Sequence, residues 1–186
     1  MGVIQRTVRR YSLVDSGGLT RLFRSPEIFR SCGDDFSDIS KLGNFIENNL
    51  RAPYVYVMGI DPRHEAFIFI PSHTTSCYVA HFCVRSGYRG REAKEHLILA
   101  AKYVFENTPC RAIMGYIRAS NKPARMLAST VGMKRIGRTR KTLMFGGEMV
   151  DEVIYQCTIE DYNEKYGEIY GRVNNDRIGI PIMMQR

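Results

Sequence analysis

The stretch VRSGYRGREAKEH, Val84 to His96, carries the residue pattern in this chain that is best suited to chemistry. An apolar run, Tyr78 to Val84, ends in a turn rich in arginine and glycine, and the turn feeds a helical pattern. A turn followed by a helix start leaves backbone N–H groups with no intrahelical acceptor, and such groups receive anions. Arg85, Arg89, Arg91 and Lys94 add positive charge around that point. Glu92 opposes them, because a carboxylate near a second anion is costly when desolvated and cheap when it faces solvent. The turn is therefore able to hold a phosphate, but its side chains do not compel it. Upstream, His81 offers an imidazole that titrates near neutrality and serves as a proton acceptor. A lone histidine in an apolar strand is more often a hydrogen-bonded core residue.

Other reactive residue types form no such pattern. The cysteines Cys32, Cys77, Cys83, Cys110 and Cys157 are odd in number, contain no C-x-x-C pair and lack a Cys-His-Asn arrangement. They read as buried reduced thiols in a cytoplasmic protein. The histidines His64, His73, His81 and His96 show no metal-ligand spacing, so no metal is expected. No apolar run approaches the roughly 18 residues that span a bilayer. The opening MGVIQRTVRRYSLV has no apolar core of a signal peptide, and Arg6 stands where myristoylation wants Ser or Thr. The net charge of +8 (27 basic, 19 acidic) favours anionic partners. The stretch MKRIGRTRKT packs five cations and reads as a solvated face or an anion contact. Nucleic-acid binding has only this charge to support it, with no recognisable module or aromatic platform.

The elements that must position these residues follow from periodicity. A length of 186 residues with 44% apolar and 25% charged content fits one packed domain. Val3–Val8 reads as a first strand. Gly17–Phe29 and Asp38–Leu50 read as helices, the second capped by Asp38 with Leu42, Phe45, Ile46 and Leu50 on one face. Residues 54–60, 65–70 and 76–84 form turn-bounded apolar runs, which predict an antiparallel meander. Residues 90–107 switch to helical period through Leu97, Ile98, Ala101, Val104 and Phe105. Residues 111–117 read as a buried strand, parallel to 76–84 across the helix. The stretch NKPARMLASTVG reads as a helix closed by Gly132, and TRKTLMFGGEMVDEVIYQCT as a hairpin. From residue 160 the chain is polar and tyrosine-rich and ends in IGIPIMM. We expect a domain over 1–159 and a tail over 160–186 that packs on a protein partner or a second copy.

This order, with these residues, resembles the GCN5-related N-acetyltransferase (GNAT) superfamily over roughly residues 3–158. HFCVRSGYRGREAKEHLI is similar to the strand, turn and helix that hold acetyl-CoA there. IRASNKPARMLASTVGMKRIGR is similar to the later stretch that runs from Asn121 through Ala124 and Leu127 to Gly132, Met133 and Gly137. The resemblance implies an α/β fold with a mixed, mostly antiparallel sheet of about seven strands. Helices flank it, and a V-shaped splay opens between strands 4 and 5. It implies acetyl-CoA or CoA as cofactor, without a metal, and transfer of the acyl group to an amine within a ternary complex. The residues implied for the cofactor are the backbone of Phe82 and Val84, the turn residues Arg89, Gly90, Arg91, Ala93 and Lys94, and Asn121.

Four departures stand against catalysis. The family pattern Q/R-x-x-G-x-G/A here reads Arg89-Gly90-Arg91-Glu92-Ala93-Lys94, so Glu92 and Lys94 replace two small residues. Ala128 stands where many members place a tyrosine, and Tyr78 where many carry a glutamate. His81, Tyr78 and Tyr116 are the candidate catalytic substitutes, with Ser120 beside them. The alternative reading is a catalytically inactive GNAT-fold protein that serves as a binding module or in bacteriophage head assembly. The chain has a faint likeness to small GNAT-like proteins of tailed phages, which would place it in the host cytoplasm or the virion.

Overall fold

The computed structural model describes residues 8–32, 38–72 and 74–174. Helix formation near the start is governed by one proline. The residue before a proline is pushed out of the helical region, and proline itself suits the first helical position. Ser25 is extended (φ −63°, ψ 132°) and Pro26 opens a new helix. The single helix expected over 17–29 is therefore two, α1 (Ser16–Arg24) and α2 (Pro26–Cys32). Asp38 caps the next turn, accepting from the Ser40 N–H at 2.8 Å, before α3 (Leu42–Arg51). Leu42 and Ile46 are buried and Leu50 partly so, but Phe45 is half exposed and falls off the expected face. With Leu19, Leu22, Phe23 and Ile28 these side chains cover one side of the sheet at Ile68 and Cys83.

The sheet is built from β1 (Arg9–Arg10), β2 (Tyr56–Gly59), β3 (Glu65–Pro71), β4 (Cys77–Val84), β5 (Ala112–Arg118), β6 (Lys134–Arg138) and β9 (Glu152–Thr158). Its order is β1-β2-β3-β4-β5-β9-β6, and β4–β5 is the only parallel pair among the described strands. The expected mixed, mostly antiparallel sheet of seven strands is present. Of the first strand expected at Val3–Val8, Val8 is not in a strand and the rest lies outside the described residues. The helix expected after the turn is α4 (Arg91–Asn107). Leu97, Ile98, Val104 and Phe105 pack its buried face onto Phe67, Phe69 and Tyr78, on the sheet side opposite α1–α3. Each such side chain stabilises the fold by about 1.5–3 kcal/mol when fully buried.

Two sequence expectations change in the second half. The basic stretch read as a solvated face contains β6, which lines the outer edge of the sheet against β9. Lys134, Arg135 and Arg138 are exposed there, and cations on an edge strand oppose pairing with further chains. The expected hairpin is in fact shorter: β7 (Leu143–Phe145) pairs with β8 (Glu148–Val150), while β9 enters the main sheet between β5 and β6. Between β5 and β6, α5 (Lys122–Thr130) ends as the sequence predicts at Gly132, whose φ of 87° suits glycine.

The boundary drawn at residue 159 cuts through the core. Residues Ile159–Tyr170 form α6. Thr158 and Asp161 make a reciprocal capping box, with the Thr158 N–H donating to Asp161 Oδ2 at 3.0 Å. Ile159, Tyr162 and Tyr166 recur at helical spacing, and all three are buried in the cluster on the α4 side. Tyr166 Oη donates to the Thr130 carbonyl at 3.2 Å. Counting tyrosine as polar hid an apolar face. The expectation that the tail stands off the core is thus corrected for α6 and for buried Val173; the apolar end IGIPIMM lies outside the described residues.

Candidate active site

The register of the sheet opens a gap. β4 and β5 pair only at Cys77–Ala112, Tyr78–Ile113 and Val79–Met114. β4 goes on pairing with β3 as far as Val84, and β5 with β9 as far as Arg118. Beyond Val79 and Met114 the two strands diverge, which is the V-shaped splay the resemblance implied. Two bonds fix the phase of β4: the Ser72 N–H donates to the Cys77 carbonyl at 2.8 Å, and the Arg85 N–H to the His64 carbonyl at 3.0 Å. Odd-numbered residues of β4 thus point their backbone groups at β3. Phe82 and Val84 point theirs into the gap.

The turn after β4 is shaped to leave donors open. Ser86–Tyr88 makes one 3₁₀ turn, and Tyr88 stacks on His64 with ring centroids 3.7 Å apart. Gly90 has φ 132°, a conformation that side-chain-bearing residues rarely adopt. The first N–H of α4 to find a backbone acceptor is that of Lys94, which donates to the Gly90 carbonyl at 3.2 Å. The N–H groups of Gly90, Arg91, Glu92 and Ala93 precede it and take no backbone acceptor among the described residues. Ala93 is buried and Lys94 half-buried, while Arg91 is spent on Glu95 at 2.9 Å. Glu92 is exposed and forms no ion pair with a described residue. The side chain that threatened an anion site is therefore turned to solvent.

Arg89 is occupied. Its Nε donates to the Val84 carbonyl at 3.0 Å, and its Nη2 donates to Glu27 Oε1 at 2.6 Å. Ser86 Oγ donates to the other oxygen of Glu27 at 3.0 Å. Glu27 belongs to α2, so this cluster joins the turn to the helical layer on the opposite face of the gap from α4.

Side chains alternate across the sheet, and this separates the three candidate catalytic residues. Tyr78 faces α4 and is buried, and burial pushes its phenol up to about 12. His81 lies opposite Ile68 and faces the α1–α3 side; Tyr116, two residues beyond Met114 as His81 is beyond Val79, faces the same side. His81 and Tyr116 therefore stand on opposing arms of the splay, level with each other, and both are exposed. Neither is the core residue that its strand position suggests. The His81 side chain is exposed, yet partial burial of its ring lowers its pKa from the ordinary 6.5. Its accessibility decides what it can reach; the shift decides only when it is neutral.

An open cleft of about 370 Å³ adjoins the wide end of the splay, lined by Glu27, Arg30, Arg118, Ser120, Asn121 and Phe145 among others. Asn121 caps α5, its Oδ1 accepting from the Ala124 N–H at 3.2 Å. Arg118 donates to the carbonyls of Arg30 and Ser31 at 3.0 Å, and its guanidinium lies 3.5 Å from the Phe145 ring centroid. On the α4 side an apolar slot of about 20 Å³ lies between Phe82, Leu97, Ile113 and Tyr166. Burial pushes the thiols of Cys110 and Cys157 up to about 12, which leaves neither a nucleophile. Sequence reasoning missed Glu27, Arg118 and Phe145. Their partners lie far along the chain, and no local spacing announces such contacts.

Comparison with known proteins adds two findings. The family model described as "Protein of unknown function (DUF2824)" matches residues 55–168, more than half of the chain. No curated protein matches. Solved GNAT structures superpose closely. The chain is similar to an acetyltransferase (GNAT family) from Bacillus anthracis, with 18% identity, 81% of this chain and 93% of that chain covered, and a TM-score of 0.67. RimJ of Mycobacterium smegmatis, in complex with CoA-disulfide, gives 16% identity, 89% and 88% coverage and a TM-score of 0.70. Spermidine N-acetyltransferase of Vibrio cholerae, in complex with CoA and spermine, gives 14%, 84%, 96% and 0.68 in the same order. The fold is the GNAT fold. Among the described residues no helix is long and apolar enough to cross a membrane.

Proposed function

The chain belongs to the DUF2824 family, and from its GNAT fold and open splay we propose that it is an acyl-CoA-dependent N-acyltransferase that moves an acetyl group to an amine. The observation that carries this reading is the loss of β4–β5 pairing after Val79, which leaves the backbone of Phe82 and the N–H of Val84 without a strand partner toward the gap, beside a helix start with no side-chain cap; the Val84 carbonyl is taken by Arg89. The residues present fit a CoA thioester. Open N–H groups at Gly90 to Ala93 suit a diphosphate. The edge of β4 suits amide groups in an extended chain, and the slot beside Phe82 and Ile113 suits apolar atoms. Arg91 and Lys94 lie in the first turn of α4, and Asn121 lines the open cleft.

Bound there, the cofactor would supply an acyl group activated by a thiol leaving group. The chain's own residues do the rest. The edge of β4 orients the reacting carbonyl. His81 Nε2 or Nδ1 accepts a proton from the acceptor's ammonium, which frees the nitrogen lone pair. Tyr116 Oη, on the facing arm, donates a proton at the departing sulfur. Tyr78 has no part in this scheme, since it is buried on the opposite face.

The acceptor enters from the α1–α3 side, where the open cleft lies. A binding module without catalysis is favoured by one observation: position 128, where many members place a tyrosine, is an alanine with no proton to give, and it is completely buried. Release of free thiol from acetyl-CoA, followed across a panel of peptide N-termini and polyamines, separates the two. Amine-dependent release that falls about 10²–10⁴-fold in His81→Gln supports transfer. Release with no amine dependence, or an unchanged His81→Gln rate, would overturn it.

A further inference from the structure

Arg89 and Glu27 join two regions that the proposed reaction keeps apart. Arg89 belongs to the turn that would face a diphosphate. Glu27 lines the open cleft on the acceptor side, and it is the carboxylate among that cleft's lining residues. Their contact spans 62 positions of sequence at 2.6 Å. Both side chains are partly exposed, 48% and 38%, so solvent screens the pair and separating it costs little. Arg118, by contrast, is committed to two carbonyls and to the Phe145 ring.

We propose that the Arg89–Glu27 ion pair is a switch shared by two sites: a diphosphate on the turn draws Arg89 away, and the released carboxylate of Glu27 then holds the ammonium of an incoming amine in the cleft. The inference rests on the acyltransferase reading and adds an acceptor-binding residue and an order of binding to it. The physical argument is competition. A guanidinium facing a diphosphate and a carboxylate is shared between them, and the doubly charged group attracts it more strongly. Losing Arg89 leaves Glu27 with only the Ser86 hydroxyl, beside Arg30 and Arg118 in an otherwise cationic cleft. Arg118 stays on its two carbonyls and the Phe145 ring, so Glu27 is the one group lining the cleft that an ammonium can pair with, in competition with Arg30. Without cofactor the same carboxylate is neutralised by Arg89, so amine binding before cofactor is weak.

Calorimetry with CoA, and with glycinamide as the amine probe, tests this on the intact chain of the wild type and Glu27→Gln. Removing the charge that competes for Arg89 should tighten CoA two- to five-fold. With CoA saturating, glycinamide should bind the wild type and be lost in Glu27→Gln; without CoA both proteins should bind it weakly. CoA affinity that is unchanged or weaker in Glu27→Gln would overturn the switch, because Glu27 would then be orienting Arg89. Equal glycinamide affinity in the two CoA-bound proteins would overturn the ammonium site. Wild-type isotherms that stay flat with millimolar CoA would sink the acyltransferase reading itself, and the switch with it. Matching melting temperatures for the two proteins show that the change is local.

Discussion

A base that takes a proton from an ammonium has to be unprotonated when the amine arrives. Burial lowers the His81 pKa from 6.5, so its ring is neutral at physiological pH. The acid limb of kcat/KM should therefore lie below pH 6.5 and should vanish in His81→Ala, whereas a limb due to the acceptor's own ammonium should persist at higher pH. Retention of the low-pH limb in the variant would remove His81 from the mechanism. Away from the gap, Asp15 shows how a single side chain ties the start of the chain down. It accepts from Arg9 at 2.6 and 2.8 Å and from the Ser12 N–H at 2.9 Å, and the Arg9 bond first of all lowers its pKa below 3.8. A depressed carboxyl stabilises the fold above the unfolded value and loses that contribution as pH falls through the folded value. Urea unfolding of Asp15→Asn at pH 7 should show a loss of about 1.5–3 kcal/mol, the scale of hydrogen bonds to a charged group. The difference from wild type should shrink below pH 3.8.

Elements differ in how openly the sequence announces them. β4, α4 and β5 were legible because a run of apolar residues gives way to a 3.6-residue period and then to a second run, with Gly90 and Pro109 as punctuation. β6 was not, since KRIGR shows charge where an interior strand shows valine, and an edge strand needs no apolar face. α6 was missed because Tyr162 and Tyr166 were counted with the polar residues beside them. The Tyr162 hydroxyl is buried and has no hydrogen-bond partner among the described residues. Its ring matters and its hydroxyl does not. Tyr162→Phe should leave stability equal or slightly higher, and Tyr162→Ala should cost about 3–5 kcal/mol by the usual cost of deleting a core aromatic. A phenylalanine variant as damaged as the alanine one would mean that the hydroxyl is bonded after all.

For the whole molecule, two layers on one sheet leave the splay as the place where both faces meet. α1–α3 cover one side, α4 and α6 the other, and the gap between β4 and β5 communicates with each. The position of that gap was implied by the resemblance that the turn and its neighbours carry; what lines it was not, because Glu27 and Phe145 reach it from α2 and β7. α6 contributes Ile159, Tyr162 and Tyr166 to the larger cluster, so a chain ending at Thr158 should lose cooperative thermal unfolding. A sharp melting transition in that truncation would show that the first 158 residues suffice.

The central claim is that the edge of β4 and the start of α4 hold CoA. A backbone amide NMR titration with CoA reads both directly. The largest shifts should fall on Phe82, Val84 and Gly90 to Ala93, saturating at micromolar to low-millimolar CoA. Spectra unchanged at several-fold higher CoA, or shifts clustered away from these amides, would contradict it.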